Sequence, residues 1–155
     1  MPRQTVHAIH PALESGIAAL AAEMRANGAS RDSPVREIAG MLGDRWTTLI
    51  LLVLSIGTWR HAELRRLLSQ LSAEGNISQR VLTLKLRGLE RNGFVSRSAT
   101  TDSPPKVSYS LTPLGQELAA EARRHVDWVK QRRGAIEVAR SAFDTERGKA
   151  KGAKG

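Results

Sequence analysis

The sequence predicts a mainly α-helical fold of the α+β class, with a single small β-hairpin. Most of the apolar residues recur every three or four positions, which is typical of amphipathic helices. Residues 94–98 and 107–111 instead have the character of strands, and the second of them alternates apolar and polar side chains. Two consecutive prolines lie in the polar segment that joins these strands, so a hairpin with a wide tip is expected there.

The bulk composition limits what the protein can do. Its 155 residues suffice for one domain with appended helices, and its formal charge of +9 favours a polyanionic partner, because Lys and Arg bound to phosphate release condensed counterions. Residues 123–155 hold ten Lys or Arg and four Asp or Glu, so much of the excess lies near the C-terminus. The chain has no cysteine, which excludes disulfides, thiolate zinc sites and thiol-based redox sensing.

The N-terminal residues lack the apolar core of a secretion signal. The longest apolar run, residues 49–54, is much shorter than the roughly 20 residues that cross a bilayer. A cytoplasmic protein is therefore expected.

Residues 11–27 predict an N-terminal helix that ends at Gly28. Its apolar stripe should face something outside a compact domain. Contact with a partner subunit is the preferred interpretation, and packing against the helix's own domain is the alternative. Residues 1–32 are accordingly assigned to an arm for dimerisation, with the interface residues Leu13, Ile17, Leu20 and Met24.

Three more helices are predicted before residue 72. Ser33 is an N-cap followed by proline at the first helical position. The next helix starts at Asp44, contains the apolar run 49–54 and ends at Gly57, so it should form the centre of the core. The third covers residues 62–71. The inward-facing apolar residues are Val35, Ile38 and Leu42 in the first of these helices and Leu64, Leu67, Leu68 and Leu71 in the third.

A basic amphipathic helix is predicted over residues 78–92. Ser78 caps its start, and Asn92 and Gly93 provide the stop. Its only carboxylate is Glu90. With the helix before it, it forms a helix-turn-helix pattern whose second helix presents a cationic face. Its apolar stripe is Leu82, Leu86 and Leu89, and its cationic face contains Arg80, Arg87 and Arg91.

The hairpin and the helices after it complete the predicted domains. Residues 98–107 form a wide, basic wing, so residues 33–112 make a winged helix-turn-helix domain. C-terminal helices over residues 113–147, interrupted at Gly134, are assigned to dimerisation through Val126 and Val129. The low-complexity residues 148–155 are expected to be a basic disordered tail.

Four segments in this order resemble the HxlR family of bacterial transcriptional regulators over residues 33–129: SPVREIAGMLGDRWTTLILLVL, RHAELRR, ISQRVLTLKLRGLERNGFVSR and PPKVSYSLTPLGQEL. The resemblance implies a dimeric DNA-binding regulator whose N-terminal and C-terminal helices build the dimer. It also implies that the helix beginning ISQR enters the major groove and that the wing touches the backbone or the minor groove.

The chain departs from the family pattern at three places. Ser33 stands where members usually carry a cysteine, which in some of them senses electrophiles or oxidants. The turn before the reading helix, around residues 72–76, is several residues longer than the usual Pro-Gly-Ile. His61 stands where phenylalanine is common, and a packed, hydrogen-bonded ring is the preferred interpretation over a sensor.

Candidate DNA contacts follow from the geometry of a helix in the major groove, where its N-terminal residues reach deepest. Arg80 has the two-pronged fork that recognises guanine, and Gln79 can pair with adenine. Leu84 points outward, towards a thymine methyl group or beneath the wing. The alternative for the cations of the helix and the wing is that they are solvated surface residues that do not contact DNA. The candidates are Ser78, Gln79, Arg80, Thr83, Leu84, Lys85 and Arg87 on the helix, Arg97 and Lys106 on the wing, and, more weakly, Thr47 and Arg60.

Other functions are also considered. Trp46, Trp59 and Trp128 suffice to line a pocket for an unidentified small-molecule effector, although such residues also serve as core filler. No cofactor or metal is expected, and an enzyme is not expected, because the histidines lack metal-ligand spacing and no phosphate loop or nucleophile elbow is present. A winged-helix protein-interaction module and a nonspecific DNA-binding architectural protein remain the alternatives to a sequence-specific regulator.

Overall fold

The computed structural model describes residues 11–28 and 30–152. Within them the chain forms six helices and a three-stranded antiparallel sheet, which confirms the predicted α+β fold. It divides into two compact units, Met1–Asp44 and Arg45–Gly155. In this division the helix after Ser33 groups with the N-terminal arm, whereas the sequence assigned it to the winged domain.

The first unit contains α1 (Pro11–Ala26) and α2 (Pro34–Gly43). Gly28 adopts a φ of 78°, as the predicted stop requires. Ser33 is the N-cap residue of α2, but its hydroxyl donates to the carbonyl oxygen of Asn27 at 2.9 Å and does not cap the helix. Val35, predicted to face inward, is exposed in the first turn of α2. The four predicted interface residues of α1 are between 56 and 61% exposed: Leu13, Ile17, Leu20 and Met24.

The second unit is built around α3 (Arg45–Leu54). Five of its residues are buried, so its predicted place at the centre of the core is confirmed. It begins after Asp44, which follows α2 as that helix's C-cap, and it ends at Leu54 and not at Gly57. Around it lie α4 (His61–Leu71) and α5 (Gln79–Arg91). The fully buried large side chains of this unit are Ile50, Leu51, Leu54, Leu64, Leu68, Ile77, Leu82, Leu86 and Leu89.

The sheet has the strand order β1-β3-β2, with β1 (Trp59–Arg60), β2 (Val95–Ala99) and β3 (Val107–Leu111). The β2–β3 hairpin is the predicted wing. The two-residue β1 was not predicted, because two residues show no alternation. It pairs with β3, placing Trp59 opposite Tyr109.

The C-terminal region is a single helix, α6 (Pro113–Gly152), and not two helices followed by a disordered tail. Gly134 does not interrupt it, since a glycine inside a long helix costs only about 1 kcal/mol relative to alanine. The ion pairs Lys130–Asp127 and Arg133–Glu137 support the helix locally. Residues 148–152 are helical, and residues 153–155 of the predicted tail lie outside the described residues.

The end of α4 also differs from the prediction. Leu64 and Leu68 are buried, but Leu71 is 61% exposed. Leu71 is the last residue of α4, and the hydrogen bond from α4 to α5 is made at the opposite end, by His61. Among the residues that the structure describes, none of the helices has the length and apolar character needed to cross a membrane.

Candidate nucleic-acid interface

The second helix of the pair, α5, has one apolar face and one polar face. Leu82, Leu86 and Leu89 are buried, as predicted. Ser78 caps the helix, because its hydroxyl accepts a hydrogen bond from the amide of Val81 at 3.1 Å. The apolar face thus fixes the helix to the core, and its opposite face is available to a partner.

The seven contact residues predicted for the reading helix are all on α5 or its cap, but their exposure differs. Ser78, Gln79, Arg80 and Arg87 are exposed, and Leu84 is 56% exposed, as its predicted outward position requires. Thr83 and Lys85 are only half-exposed. The N-terminal residues 78–80 are therefore the most accessible part of the predicted reading surface.

A polar stripe on α4 holds α5 and its leading loop in place. It consists of His61, Arg65 and Ser69, which recur every four residues. Nε2 of His61 lies 3.0 Å from the Thr83 hydroxyl. Arg65 Nε donates to the carbonyl oxygen of Ile77 at 2.9 Å, and the Ile77 amide lies 3.4 Å from the Ser69 hydroxyl that accepts from it.

This stripe fixes the point at which the loop of residues 72–76 enters α5. Ile77 is itself buried, so the residue before the helix cap is held by both packing and hydrogen bonds. An ion pair between Arg45 and Glu74 restrains the loop at a second point. Neither Arg65 nor Ser69 was predicted to have a role, although their regular four-residue spacing from His61 was a usable signal.

His61 is a half-buried ring in this arrangement. Its centroid lies 6.1 Å from that of Tyr109. Burial lowers the pKa of His61 from its ordinary value of 6.5, and the positive charge of Arg65 lowers this pKa further. The neutral ring is therefore favoured, which agrees with the preferred interpretation of a packed, hydrogen-bonded histidine.

The two wing cations are exposed but lie on opposite faces of the hairpin. Arg97 is paired with the buried Tyr109, so both point towards the same face. Lys106 continues the register opposite Thr100, whose amide donates to the Lys106 carbonyl oxygen at 3.0 Å. Lys106 therefore shares the other face with Ser108 and, across β3, with the exposed Arg60.

One predicted contact is wrong and one cationic cavity was not predicted. Thr47 is only 3% exposed, because it lies on the buried face of the core helix, and it is inaccessible to a phosphate.

An open cavity of about 430 Å³ lies along α4 and the following loop. Its lining includes Arg65, Arg66, Gln70 and Asn76.

None of the three tryptophans lines the cavities of about 430, 450 and 530 Å³ that lie along α4, along the α1–α2 segment and along α6. The indole N–H of Trp59 donates to the carbonyl oxygen of Val53 at 3.1 Å. Trp128 is 54% exposed, and the guanidinium carbon of Arg132 lies 4.5 Å from its ring centroid. An effector pocket at Trp46, Trp59 and Trp128 stays a prediction.

Within residues 11–28 and 30–152, no group of three His, Asp or Glu residues is placed to hold a metal ion.

The helix pair α4–α5, with α3 before it and the β2–β3 hairpin after it, defines a winged helix-turn-helix protein. The sequence profile of the HxlR-like helix-turn-helix family matches residues 41–137. The chain therefore belongs to the HxlR family of transcriptional regulators.

Individual relatives agree with this assignment. The HTH-type transcriptional regulator YtfH of Escherichia coli strain K12 is 38% identical over 97 residues, which cover 63% of this chain and 72% of YtfH. YdeP of Bacillus subtilis strain 168, also an HTH-type transcriptional regulator, is 38% identical over 114 residues, covering 72% of this chain and 84% of YdeP.

Solved structures show the same fold. The transcriptional regulator ytfH from Salmonella typhimurium superimposes with a TM-score of 0.61 at 32% identity, covering 74% of this chain and 97% of that one. The redox regulator HypR in its reduced form gives a TM-score of 0.57 at 34% identity, covering 68% of this chain and 99% of HypR.

Proposed function

We propose that the protein is a sequence-specific, double-stranded DNA-binding transcriptional regulator that acts as a homodimer on a pseudo-palindromic operator in the cytoplasm. Helix α5 enters the major groove, and the wing, residues 98–107, contacts the backbone or the minor groove. The observation that carries this proposal is α5 itself. Its apolar face is buried, its exposed N-terminal face contains Gln79 and Arg80, and α4 holds its start in a fixed position.

Three kinds of contact are expected at the DNA. Arg80 donates two hydrogen bonds to a guanine edge, and Gln79 pairs with an adenine. Arg87 lies two turns farther along α5 and contacts phosphate, as do the wing cations Arg97 and Lys106 on their separate faces. These roles separate residues that select a sequence from residues that only add affinity.

The homodimer is supported by the exposed apolar stripe of α1 and by a face of α6 on which Val126 is half-buried and Val129 is exposed. A two-fold axis would present two α5 helices to half-sites one DNA turn apart, about 34 Å. HypR is a redox regulator, but this chain contains no cysteine. We therefore assign it no thiol-based redox sensing, and any signal would have to act through other groups.

Binding of the purified full chain to selected genomic fragments tests the proposal. The enriched fragments should share a two-fold related motif, and Arg80→Ala should weaken binding to that motif by roughly 1 to 3 kcal/mol while leaving nonspecific binding nearly unchanged. The matched control is Arg124→Ala, which removes one exposed cation from α6. Equal affinity of Arg80→Ala and the wild type for the motif would contradict the assignment of α5.

The same measurement separates the alternatives. Salt-sensitive binding without sequence preference would indicate an architectural protein, and deletion of residues 148–155 would then remove most of the affinity if the basic end carries it. A lack of binding to duplex DNA at low salt would instead favour a winged-helix module that binds protein.

A further inference from the structure

The distal part of α6 carries a seven-residue pattern that its own domain leaves unused. The buried residues of this 40-residue helix end at Ala122, yet the same stripe continues beyond it. Successive residues of the stripe are alternately three and four positions apart, which is the pattern of the a and d positions in a coiled coil. Beyond Ala122 the a positions are Val126, Arg133 and Arg140, and the d positions are Val129, Ile136 and Phe143.

This face is an open groove along the helix. A cavity of about 530 Å³ follows it and is lined by all the a and d residues from 126 to 140. Val129 is 41% exposed and Phe143 is 57% exposed. The pattern extends past residue 137, where the match to the family profile ends, so its distal part is a feature of this chain beyond the shared domain.

We propose that residues 123–147 of α6 form an antiparallel two-stranded coiled coil with the same segment of a second copy of this chain. The proposal rests on the homodimer of the proposed function and adds the orientation and register of the pair.

The arginines at the a positions determine the orientation. In a parallel pair each a residue meets its own copy, so Arg133 would face Arg133 and Arg140 would face Arg140. In an antiparallel pair each a residue lies opposite a d residue, so each arginine can lay its aliphatic stem on an apolar side chain and keep its charge in water. Antiparallel pairing therefore removes the repulsion that parallel pairing would create.

The flanking charges determine the register. When Arg133 lies opposite Ile136 of the second copy, the other layers pair Val129 with Arg140 and Val126 with Phe143. Flanking e positions then bring Lys130 to Glu137 and Arg123 to Asp144, and g positions bring His125 to Glu146 and Arg132 to Ala139. No like charges meet at these flanking positions.

Each neighbouring register adds a like-charge contact that the chosen register avoids. A shift of the pairing by one heptad in one direction places Glu137 opposite its own copy, and a shift in the other direction places Lys130 opposite its own copy. The chosen register is also two-fold symmetric, since each pair occurs twice, as a homodimer interface requires.

Cross-linking tests the register directly, because the chain has no native thiol to interfere. Residues 126 and 143 lie about 25 Å apart on one straight helix, so they cannot form a disulfide within one chain. The double variant Val126→Cys/Phe143→Cys of the full chain should give a covalent dimer under mild oxidation, and either single variant should stay mostly monomeric on a nonreducing gel. A covalent dimer of Val126→Cys alone would overturn the antiparallel orientation.

Charge exchange provides a second test. Lys130→Glu and Glu137→Lys should each raise the dimer dissociation constant by roughly fivefold to tenfold at low salt, because each creates two like-charge contacts. The double exchange Lys130→Glu/Glu137→Lys should restore it, and Arg124→Glu, on the opposite side of α6, should leave it unchanged. Additive losses in the double exchange would overturn the register.

The outcomes separate this inference from the proposed function. A wild-type chain that sediments as a dimer and binds its motif, but fails both tests, overturns the coiled coil alone. A wild-type chain that sediments as a monomer at micromolar concentration overturns the homodimer as well. A cross-linked dimer without selective DNA binding leaves the coiled coil intact and overturns the proposed function.

Discussion

Replacing Gly115 with alanine should destabilise the protein strongly, because this glycine lies at a closely packed junction. Thr112 donates its amide to the carbonyl oxygen of Phe94 at 3.0 Å and its hydroxyl to that of Gly93 at 2.5 Å. The amide of Gly115 donates to the same hydroxyl at 3.0 Å. The junction therefore joins the end of α5, both strands of the wing and the start of α6.

The size of the effect follows from the space available. A Cβ added at Gly115 would lie 1.9 Å from the carbonyl oxygen of Phe94 and 3.2 Å from Cδ2 of Leu111. The Phe94 carbonyl oxygen is part of the backbone and already accepts a hydrogen bond, so it cannot move aside easily. Because a Cβ needs a separation of about 3 Å from such an atom, α6 would have to shift by more than about 1 Å. Overpacking of this kind costs about 1 to 3 kcal/mol, and the better helix propensity of alanine offsets at most about 1 kcal/mol.

We expect a net loss of about 1 to 2 kcal/mol, or a fall in Tm of roughly 2 to 8 °C at fixed protein concentration. Thermal unfolding followed by circular dichroism measures it. Gly134→Ala is the matched control, since an added Cβ there meets nothing within 4 Å, and it should gain about 1 kcal/mol. A Gly115→Ala variant as stable as the wild type would refute the packing argument, and a destabilised Gly134→Ala would contradict a continuous α6.

Three other predictions concern the interface. Arg65→Ala removes the hydrogen-bond donor to the Ile77 carbonyl oxygen, so it should weaken operator binding about tenfold in a gel-shift titration while barely changing Tm. Full recovery of binding in Arg65→Lys would show that the positive charge of residue 65 matters and not the geometry of its guanidinium group. Lys106→Ala should lower affinity for all sequences alike and reduce the slope of log affinity against log salt by about 1, and a sequence-selective loss would contradict its role as a phosphate contact. Because the pKa of His61 is lowered in the folded state, the unfolded chain binds more protons below pH 6.5, so the free energy of unfolding should fall as the pH drops through that value. His61→Gln should remove this part of the pH dependence measured by urea unfolding, and an unchanged profile would exclude His61 as its source.

The sequence by itself determined where most of the helices lie, including α5. Leu82, Leu86 and Leu89 had to share one face, because their spacing follows the helical repeat, and Ser78 and Gly93 marked its ends chemically. The wing was predictable for the same reason, since alternation in residues 107–111 is a local property of a strand. Periodicity and capping depend on near neighbours in the chain, so they can be detected without coordinates.

The position of α5 was decided only by the tertiary structure. Arg65 reaches Ile77 across 12 residues, and His61 reaches Thr83 across 22, through side chains whose partners depend on how two helices pack. The burial of Thr47 likewise depends on which face of α3 is covered, and a helix apolar on nearly every side does not show that face in its pattern. Whether α6 continues through Gly134 depends on two opposing effects, the small cost of glycine in a helix and the cooperative gain from extending the helix. The glycine alone therefore does not show which effect is larger.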